Sequence, residues 1–159
     1  MKLTINQEYL KRHLFVTILM LGLGAWFAYD GIVTYPRMSA AELYTSIEKS
    51  APPEDMTTEA LAQFKDQKTK TQYGFALLSL LAGAIVGTNL LKSYRFSFEY
   101  DDALNMVING KKYTKDDIAE VDRAQWKSKK IAVLKMKDGA KVTLDAWHHN
   151  GVLNLETLV

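Results

Sequence analysis

The sequence predicts a membrane-inserted α-helical hairpin followed by a small antiparallel β-sheet domain. Two long apolar runs, residues 14–35 and 73–92, support the hairpin, because they contain only Asp30 and the terminal Lys92 as charged residues. A helix needs roughly 20 mostly apolar residues to cross a bilayer, and both runs reach that length. After Lys92 the hydrophobic pattern changes from a helical period to alternation, which is typical of half-buried strands.

The two runs divide the chain into five segments. These are a cytoplasmic lead (1–13), a first transmembrane helix (14–35), an extramembrane helical loop (36–72), a second transmembrane helix (73–92) and the sheet domain (93–159). A cleaved signal peptide is the alternative for the first run, since Lys11 and Arg12 precede an apolar core. The run is long for a signal and has a poor cleavage site near Ala25, so a retained helix is favoured.

Composition and motifs argue against several classes of protein. The net charge of +2 is too small to indicate a nucleic-acid partner. Cysteine is absent, which excludes disulfides and thiolate metal sites. No phosphate loop or nucleophile elbow is found, and neither apolar run contains a histidine that could hold haem. We therefore expect no enzyme, no cofactor and no metal site.

Small residues recur at four-residue spacing in both runs. The first run has Gly24 and Ala28, and the second has Ser79, Gly83 and Gly87. Such a pattern lets a second helix backbone approach closely. A helix-packing face is therefore predicted, with chance occurrence as the alternative. The sequence leaves open whether the partner is the chain's own other helix or another subunit.

The loop between the runs is predicted to be helical. Ser39 and Glu42 fit a capping box, and the helix that follows is predicted to end at Pro52-Pro53. A second helix is predicted to begin near Asp55 or Thr57 and to continue into the second run. Pro36 is predicted to stop the first transmembrane helix.

The last 67 residues are predicted to form about six short strands. Tyr94, Phe96, Phe98 and Tyr100 alternate with polar residues and predict an aromatic face turned toward the core. Residues 152–159 are predicted to form a strand or a short helix. Further strands are predicted at 104–108, 111–114, 118–121, 131–136 and 141–144. The predicted turns are Asp101-Asp102, Asn109-Gly110 and Asp138-Gly139, of which Asn-Gly is a strong hairpin signal.

Three polar groupings in the sheet segment have both a functional and an ordinary interpretation. Residues that suggest contact with an anionic lipid surface are Arg123, Trp126, Lys127, Lys129 and Lys130. The alternative, a solvated hairpin turn, is favoured. Asp145 with His148 and His149 supplies too few ligands for a metal, so a polar turn is favoured there. Asp116-Asp117 is interpreted as a turn or helix cap.

The sheet segment resembles the pleckstrin-homology-like domain of small bacterial membrane proteins with two helices. The resemblance of the sheet segment rests on Tyr113–Ile118, Lys130–Val133, Asp138-Gly139 and Leu144–Trp147, together with Val121 and Trp126. The pairing of Tyr29–Gly31 with Tyr35-Pro36 is similar to that in small two-helix bacterial membrane proteins. A full domain of that family has seven strands and a closing C-terminal helix, for which residues 152–159 are short. The resemblance implies a membrane-tethered binding or assembly module without catalytic residues.

Two functions are therefore expected from the sequence. The first is a non-catalytic accessory or assembly subunit of a larger membrane complex, with membrane lipids and other membrane subunits as partners. The alternative is a stand-alone module that binds anionic lipid or a peptide. Two cations precede the first run and two follow the second, namely Lys11, Arg12, Lys92 and Arg95. Between the runs lie Arg37, Lys65, Lys68 and Lys70, so the positive-inside bias is slight. We expect a bacterial inner-membrane protein with both termini in the cytoplasm.

Overall fold

Two long helices and eight short strands are present in the computed structural model, which describes residues 1–155. The chain divides into two units. The sheet unit combines Met1–Leu14 with the chain from Thr88 onward, and the helical unit is Phe15–Gly87. Long apolar helices with small antiparallel sheets are the architecture predicted from the sequence.

The first long helix, α1, spans Gln7–Tyr29 and continues through a π-helical turn, Asp30–Thr34, into a last turn, α2, at Tyr35–Arg37. Pro36, which was predicted to stop this helix, therefore lies inside its last turn, and the helix ends at Arg37. A proline ring clashes with the carbonyl four residues before it in a regular α-helix. The wider π turn lies directly before Pro36, and there the Tyr35 N–H donates to the Asp30 carbonyl.

The loop between the long helices is helical, as predicted. Helix α3, Ala40–Glu48, begins with the predicted capping box between Ser39 and Glu42. It ends at Lys49, which adopts a left-handed conformation (φ 58°), and so stops before the two prolines.

The second long helix, α4, spans Thr58–Arg95. At its start the Thr57 hydroxyl accepts a hydrogen bond from the Ala60 N–H, as the predicted helix start requires. Its 38 residues give a length of about 57 Å at 1.5 Å per residue.

The strands form three antiparallel sheets. The first three-stranded sheet contains β2 (Phe98–Tyr100), β3 (Met106–Ile108) and β4 (Lys111–Tyr113). The second contains β5 (Ile118–Asp122), β6 (Ile131–Met136) and β7 (Lys141–Asp145), with helix α5 (Trp126–Lys129) between β5 and β6. A two-stranded sheet joins β1 (Thr4–Ile5) to β8 (His149–Asn150), and 3-10 turns lie at Lys115–Asp117 and Val152–Leu155.

The predicted hairpin turns are confirmed. Asn109 and Gly110 have φ angles of 50° and 83° and connect β3 to β4. Gly139 has a φ of 88° and lies in the turn between β6 and β7. These left-handed conformations are the ones that asparagine and glycine tolerate best.

The sheet unit differs from the prediction at its first strand and in the lead. Tyr94 lies in α4 with 64% of its surface exposed, because the helix continues to Arg95 and the first aromatic strand begins only at Phe98. The lead, for which no strand was predicted, contains β1, which pairs with β8, and its residues from Gln7 onward already belong to α1. For residues 152–159, where a strand or a short helix was predicted, the structure has a short 3-10 helix at Val152–Leu155, and residues 156–159 lie outside the described part of the chain.

A single hydrophobic core holds the sheet unit together. It takes side chains from the lead, from both three-stranded sheets and from the last turn, including Leu3, Phe98, Leu134, Leu144 and Val152. Each of these five is at most 4% exposed. The lead therefore belongs to the fold of this unit.

Candidate functional site

The predicted small-residue face packs the two long helices of this chain against each other. A Cβ atom placed on Gly24 would lie 2.6 Å from Leu80 Cγ, and one on Gly83 would lie 2.9 Å from Leu21 Cδ2. Both distances are shorter than a van der Waals contact, so a leucine on each helix fills the space left by a glycine on the other. The partner that the sequence left open is thus the chain's own other helix.

The remaining contacts give the direction of this packing. Gly87 faces Thr17, at 3.1 Å from the position of an added Cβ, and Gly31 faces Tyr73. As the position on the first helix advances from 17 to 31, its partner recedes from 87 to 73, which is the order of an antiparallel pair. Ala28 and Ser79, also predicted to face the contact, are half-buried.

Two polar contacts of this helix pair were missed by sequence reasoning. The Tyr73 hydroxyl donates to the Gly31 carbonyl at 3.0 Å, and Gln72 Nε2 donates to the Tyr35 hydroxyl at 2.8 Å. Both lie near the turn at which the first helix ends. The tyrosines at the ends of the two runs can be seen in the sequence, but the sequence does not show which groups on the two helices they contact.

The predicted basic patch is only partly available for binding. Trp126 is 8% exposed and belongs to the hydrophobic core, so its ring cannot enter a lipid surface as the sequence suggested. Lys130 lies over that ring, with Nζ 5.5 Å from its centre. Arg123, Lys127, Lys129 and Lys130 are all exposed. The patch is therefore a set of four cations around a buried tryptophan.

A polar cluster connects the start of α1, the end of α4 and the turn after β7. The Tyr9 hydroxyl lies 3.3 Å from Ser93 Oγ, which lies 3.4 Å from His148 Nδ1. The rings of His13 and His148 pack on Tyr9 with centre-to-centre distances of 4.0 and 4.2 Å. Burial lowers the pKa of His148 from its usual value, and this outweighs the opposing effect of Asp145.

His149 is also buried and joins this cluster through Ser93. It is 5% exposed, and its Nε2 lies 3.0 Å from the Ser93 carbonyl oxygen. A carbonyl can only accept, so Nε2 carries the proton and donates. The other ring nitrogen, Nδ1, is buried and has no hydrogen-bond partner among residues 1–155. The sequence predicts a polar turn at this residue, and nothing local in the sequence indicates its burial.

Ser93, His148 and His149 line a cavity of about 510 Å³ in the sheet unit. Asn89 and Lys92 from α4 and Lys141 and Thr143 from β7 contribute exposed polar groups, while Ser93, Asp145 and His149 contribute buried ones. Asp145 Oδ1 accepts the Trp147 N–H at 2.8 Å. The cavity can therefore offer both cationic donors and an acceptor to a small polar ligand.

Other carboxylates of the sheet unit serve local structure. Asp138 accepts hydrogen bonds from Lys111 and from the Tyr113 hydroxyl, and the Lys111 contact is the main reason that its pKa falls to about 2. Asp117 caps the Lys115–Asp117 turn by accepting from Thr114, which also lowers the pKa of Asp117. The prediction of a turn or cap at residues 116–117 is confirmed.

No group of three or more histidine, aspartate or glutamate side chains suited to a metal ion occurs among residues 1–155. In comparisons with known proteins, no family model matches the chain, and no curated protein or solved structure is similar to it. Function must therefore be argued from the chain's own geometry.

Proposed function

We propose that the two long helices cross a lipid bilayer as an antiparallel hairpin and anchor the sheet unit to the membrane. Both are long and apolar enough to do so, and only 11% and 17% of their most apolar stretches are buried. Phe15, Ile18, Leu78 and Ile85 are each more than 60% exposed. A soluble protein rarely leaves so large an apolar surface in water, so lipid or other membrane helices cover it.

Both ends of the hairpin belong to one sheet unit, so both termini lie on the same side of the membrane. The basic residues flanking the two runs, Lys11, Arg12, Lys92 and Arg95, favour the cytoplasmic side by the positive-inside rule. A bacterial inner membrane with cytoplasmic termini therefore remains the proposed location.

Within that membrane, the chain acts as a non-catalytic accessory or assembly subunit of a larger complex. The observation that carries this proposal is the glycine-mediated contact of the helix pair. Because the two helix backbones are this close, no ion or solute can pass between them. The hairpin therefore serves as an anchor and as an apolar surface for neighbouring helices. The sheet carboxylates that cap turns and pair with lysines further support a role without catalysis.

The resemblance of the sheet unit to a pleckstrin-homology-like domain is part of the proposal. Two three-stranded antiparallel sheets around one core support it. That resemblance implies a surface for binding or assembly rather than an active centre. The sheet unit would then contact the parts of the partner subunits that lie outside the bilayer.

Native mass analysis after gentle detergent extraction tests the accessory-subunit proposal. The full chain, carrying a small affinity tag, should be recovered in a stoichiometric complex with one or more other membrane proteins. Recovery as a lone monomer or homodimer at native expression level, in several mild detergents, would contradict it.

The exposed cations around Trp126 favour a second candidate, the recognition of anionic lipid. Each lysine or arginine near an anionic leaflet contributes about 1 kcal/mol. In the same mass experiment, replacement of Lys127, Lys129 and Lys130 by glutamine should reduce the number of retained anionic lipids if this candidate is right. If the lipid number and the complex both stay unchanged, the patch is an ordinary solvated turn.

A further inference from the structure

Trp147 is an exposed tryptophan that lies against the start of α1. It belongs to the turn after β7 and is 41% exposed, whereas Trp126 is 8% exposed and part of the core. The Trp147 ring meets the Tyr9 ring edge-on, with 6.4 Å between the ring centres. The guanidinium carbon of Arg12 lies 5.6 Å from the centre of the Trp147 ring. The ring is therefore held beside α1, with part of its surface left open.

Backbone hydrogen bonds hold this turn between α1 and α5. The Asn6 N–H, one residue before α1 begins, donates to the His148 carbonyl at 2.8 Å. On the other side of the turn, the Ala146 N–H donates at 3.2 Å to the carbonyl of Lys130, which directly follows α5. Trp147 lies between the two bonded residues of its turn, so the end of α5 and the start of α1 both adjoin it.

The position of Trp147 along α1 matches the depth of a lipid headgroup layer. The first apolar run begins at Leu14, and Tyr9 and Arg12 precede it by five and two residues. At a rise of 1.5 Å per residue, these two residues lie about 3–8 Å before the run. A bilayer of about 40–45 Å has a hydrocarbon core of about 30 Å, which leaves about 5–8 Å for each headgroup layer. With the hairpin across the bilayer, the Trp147 ring lies at this level, where tryptophan is enriched.

The elements that adjoin Trp147 carry an excess of positive charge. Their exposed cations are Lys11, Arg12, Arg123, Lys127, Lys129 and Lys130. The carboxylates of the same region already have partners. Glu8 pairs with Arg12, while Asp122 and Asp145 accept the backbone N–H groups of Ala124 and Trp147. An anionic leaflet attracts such an excess of lysine and arginine.

We propose that Trp147, Arg12 and the cations of α5 form a face of the sheet unit that rests in the headgroup layer of an anionic phospholipid leaflet. This face depends on the proposed membrane-spanning hairpin, because only then does Trp147 lie at headgroup level. The ring supplies apolar area near the acyl chains, and the cations attract the lipid phosphates. Trp147 therefore takes the role that the sequence suggested for Trp126.

The test measures the contact of each tryptophan with lipid, using the full chain in nanodiscs of phosphatidylglycerol and phosphatidylcholine. The chain has three tryptophans. In deuterated protein that carries 5-fluorotryptophan, magnetisation transfer from lipid protons to each fluorine signal reports direct contact. Trp147 should receive it from headgroup and glycerol protons, whereas the buried Trp126 should not, and Trp147→Phe assigns the signal. No transfer to Trp147, or equal transfer to Trp126, would overturn the proposal.

Trp26 separates this proposal from the hairpin on which it depends. It lies in the first apolar run and is 66% exposed, so it should contact lipid if the hairpin crosses the bilayer. Transfer to Trp26 without transfer to Trp147 would overturn the headgroup face and leave the hairpin supported. Transfer to neither tryptophan would contradict both.

Two double variants test the charge of the face, with one of the two lipids deuterated in turn so that their contacts can be compared. Lys127→Gln with Lys129→Gln removes two cations of α5 and should lower the ratio of phosphatidylglycerol to phosphatidylcholine contacts at Trp147 several-fold. Lys115→Gln with Lys137→Gln makes the same charge change at the opposite end of β6 and should leave the ratio unchanged. An equal fall in both variants, or equal contact with the two lipids in the wild type, would overturn the anionic-lipid partner.

Discussion

The Tyr9 hydroxyl lies 3.3 Å from Ser93 Oγ, so the first turns of α1 and the last turns of α4 meet through a buried hydrogen bond. Tyr9 is 1% exposed and contacts His148 and Trp147 as well. The contact joins residues 84 positions apart in the chain. It therefore ties the lead and the end of α4 into the same folded unit.

Tyr9→Ala should strongly destabilise the sheet unit. Loss of a buried aromatic side chain typically costs about 3–5 kcal/mol. Tyr9→Phe keeps the ring and removes only the hydroxyl contact with Ser93, so it should cost about 1 kcal/mol. Amide hydrogen exchange of β6 and β7 in the full chain measures both effects. Equal protection in the wild type and Tyr9→Ala would show that the lead is dispensable for the fold.

Gly83→Leu should separate the two long helices, because its side chain would overlap Leu21. Overpacking of this kind typically costs 1–3 kcal/mol. Gly74→Leu is the matched control, since Gly74 lies on the same helix and has open space at its Cβ position. The chain has no cysteine, so a Thr17→Cys and Gly87→Cys pair can report the contact by its disulfide yield. The yield should fall with Gly83→Leu only, and an equal fall in the control would contradict the packing.

Single cysteines at Ser46 and Ser128 should report the topology. Both serines are exposed, Ser46 on α3 and Ser128 on α5. With cytoplasmic termini, an impermeant thiol reagent added to intact cells should label position 46 and leave position 128 unlabelled. Labelling at 128 alone would reverse the proposed orientation, and labelling of both after cell lysis controls for reactivity.

Phe98→Ala should unfold the sheet unit, whereas Tyr94→Ala should leave it stable. Phe98 is fully buried at 0% exposure, while Tyr94 is 64% exposed on α4. The expected loss for Phe98 is about 3–5 kcal/mol. Phe96 is half-buried against the core, so the loss of stability in Phe96→Ser should lie between those of Phe98→Ala and Tyr94→Ala. Thermal unfolding followed by near-ultraviolet circular dichroism ranks the three variants by their loss of stability. A larger loss for Tyr94→Ala than for Phe98→Ala would contradict the observed burial of Phe98.

The Asp138 carboxylate should make the sheet unit sensitive to acid. Its pKa is lowered from 3.8 to about 2, chiefly by Lys111. A carboxylate with a depressed pKa in the folded state contributes stability above its unfolded pKa, and the contribution is lost as the pH falls toward 2. Asp138→Asn should therefore flatten the pH dependence of stability between about pH 4 and pH 2. An unchanged acid limb in the variant would show that the pair with Lys111 does not form in solution.

Features that depend on neighbouring residues could be predicted from the sequence. The two apolar runs, the Ser39–Glu42 capping box and the Asn109-Gly110 hairpin turn follow from composition and short-range geometry, and each was predictable. The strand at Ile131–Met136 was predicted with its observed ends. The alternation of its side chains depends only on the two-residue period of a strand.

Which distant segments share a surface is seen only in the folded structure. Thr4–Ile5 pairs with His149–Asn150 across more than 140 residues, and Trp126 turns into the core while the lysines around it stay in solvent. His149 looks like part of a polar turn in the sequence, yet it is buried against the Ser93 carbonyl. These contacts form where apolar surfaces from distant segments pack against each other and are removed from water. Burial is a property of the whole packed core, and no local pattern of residues contains it.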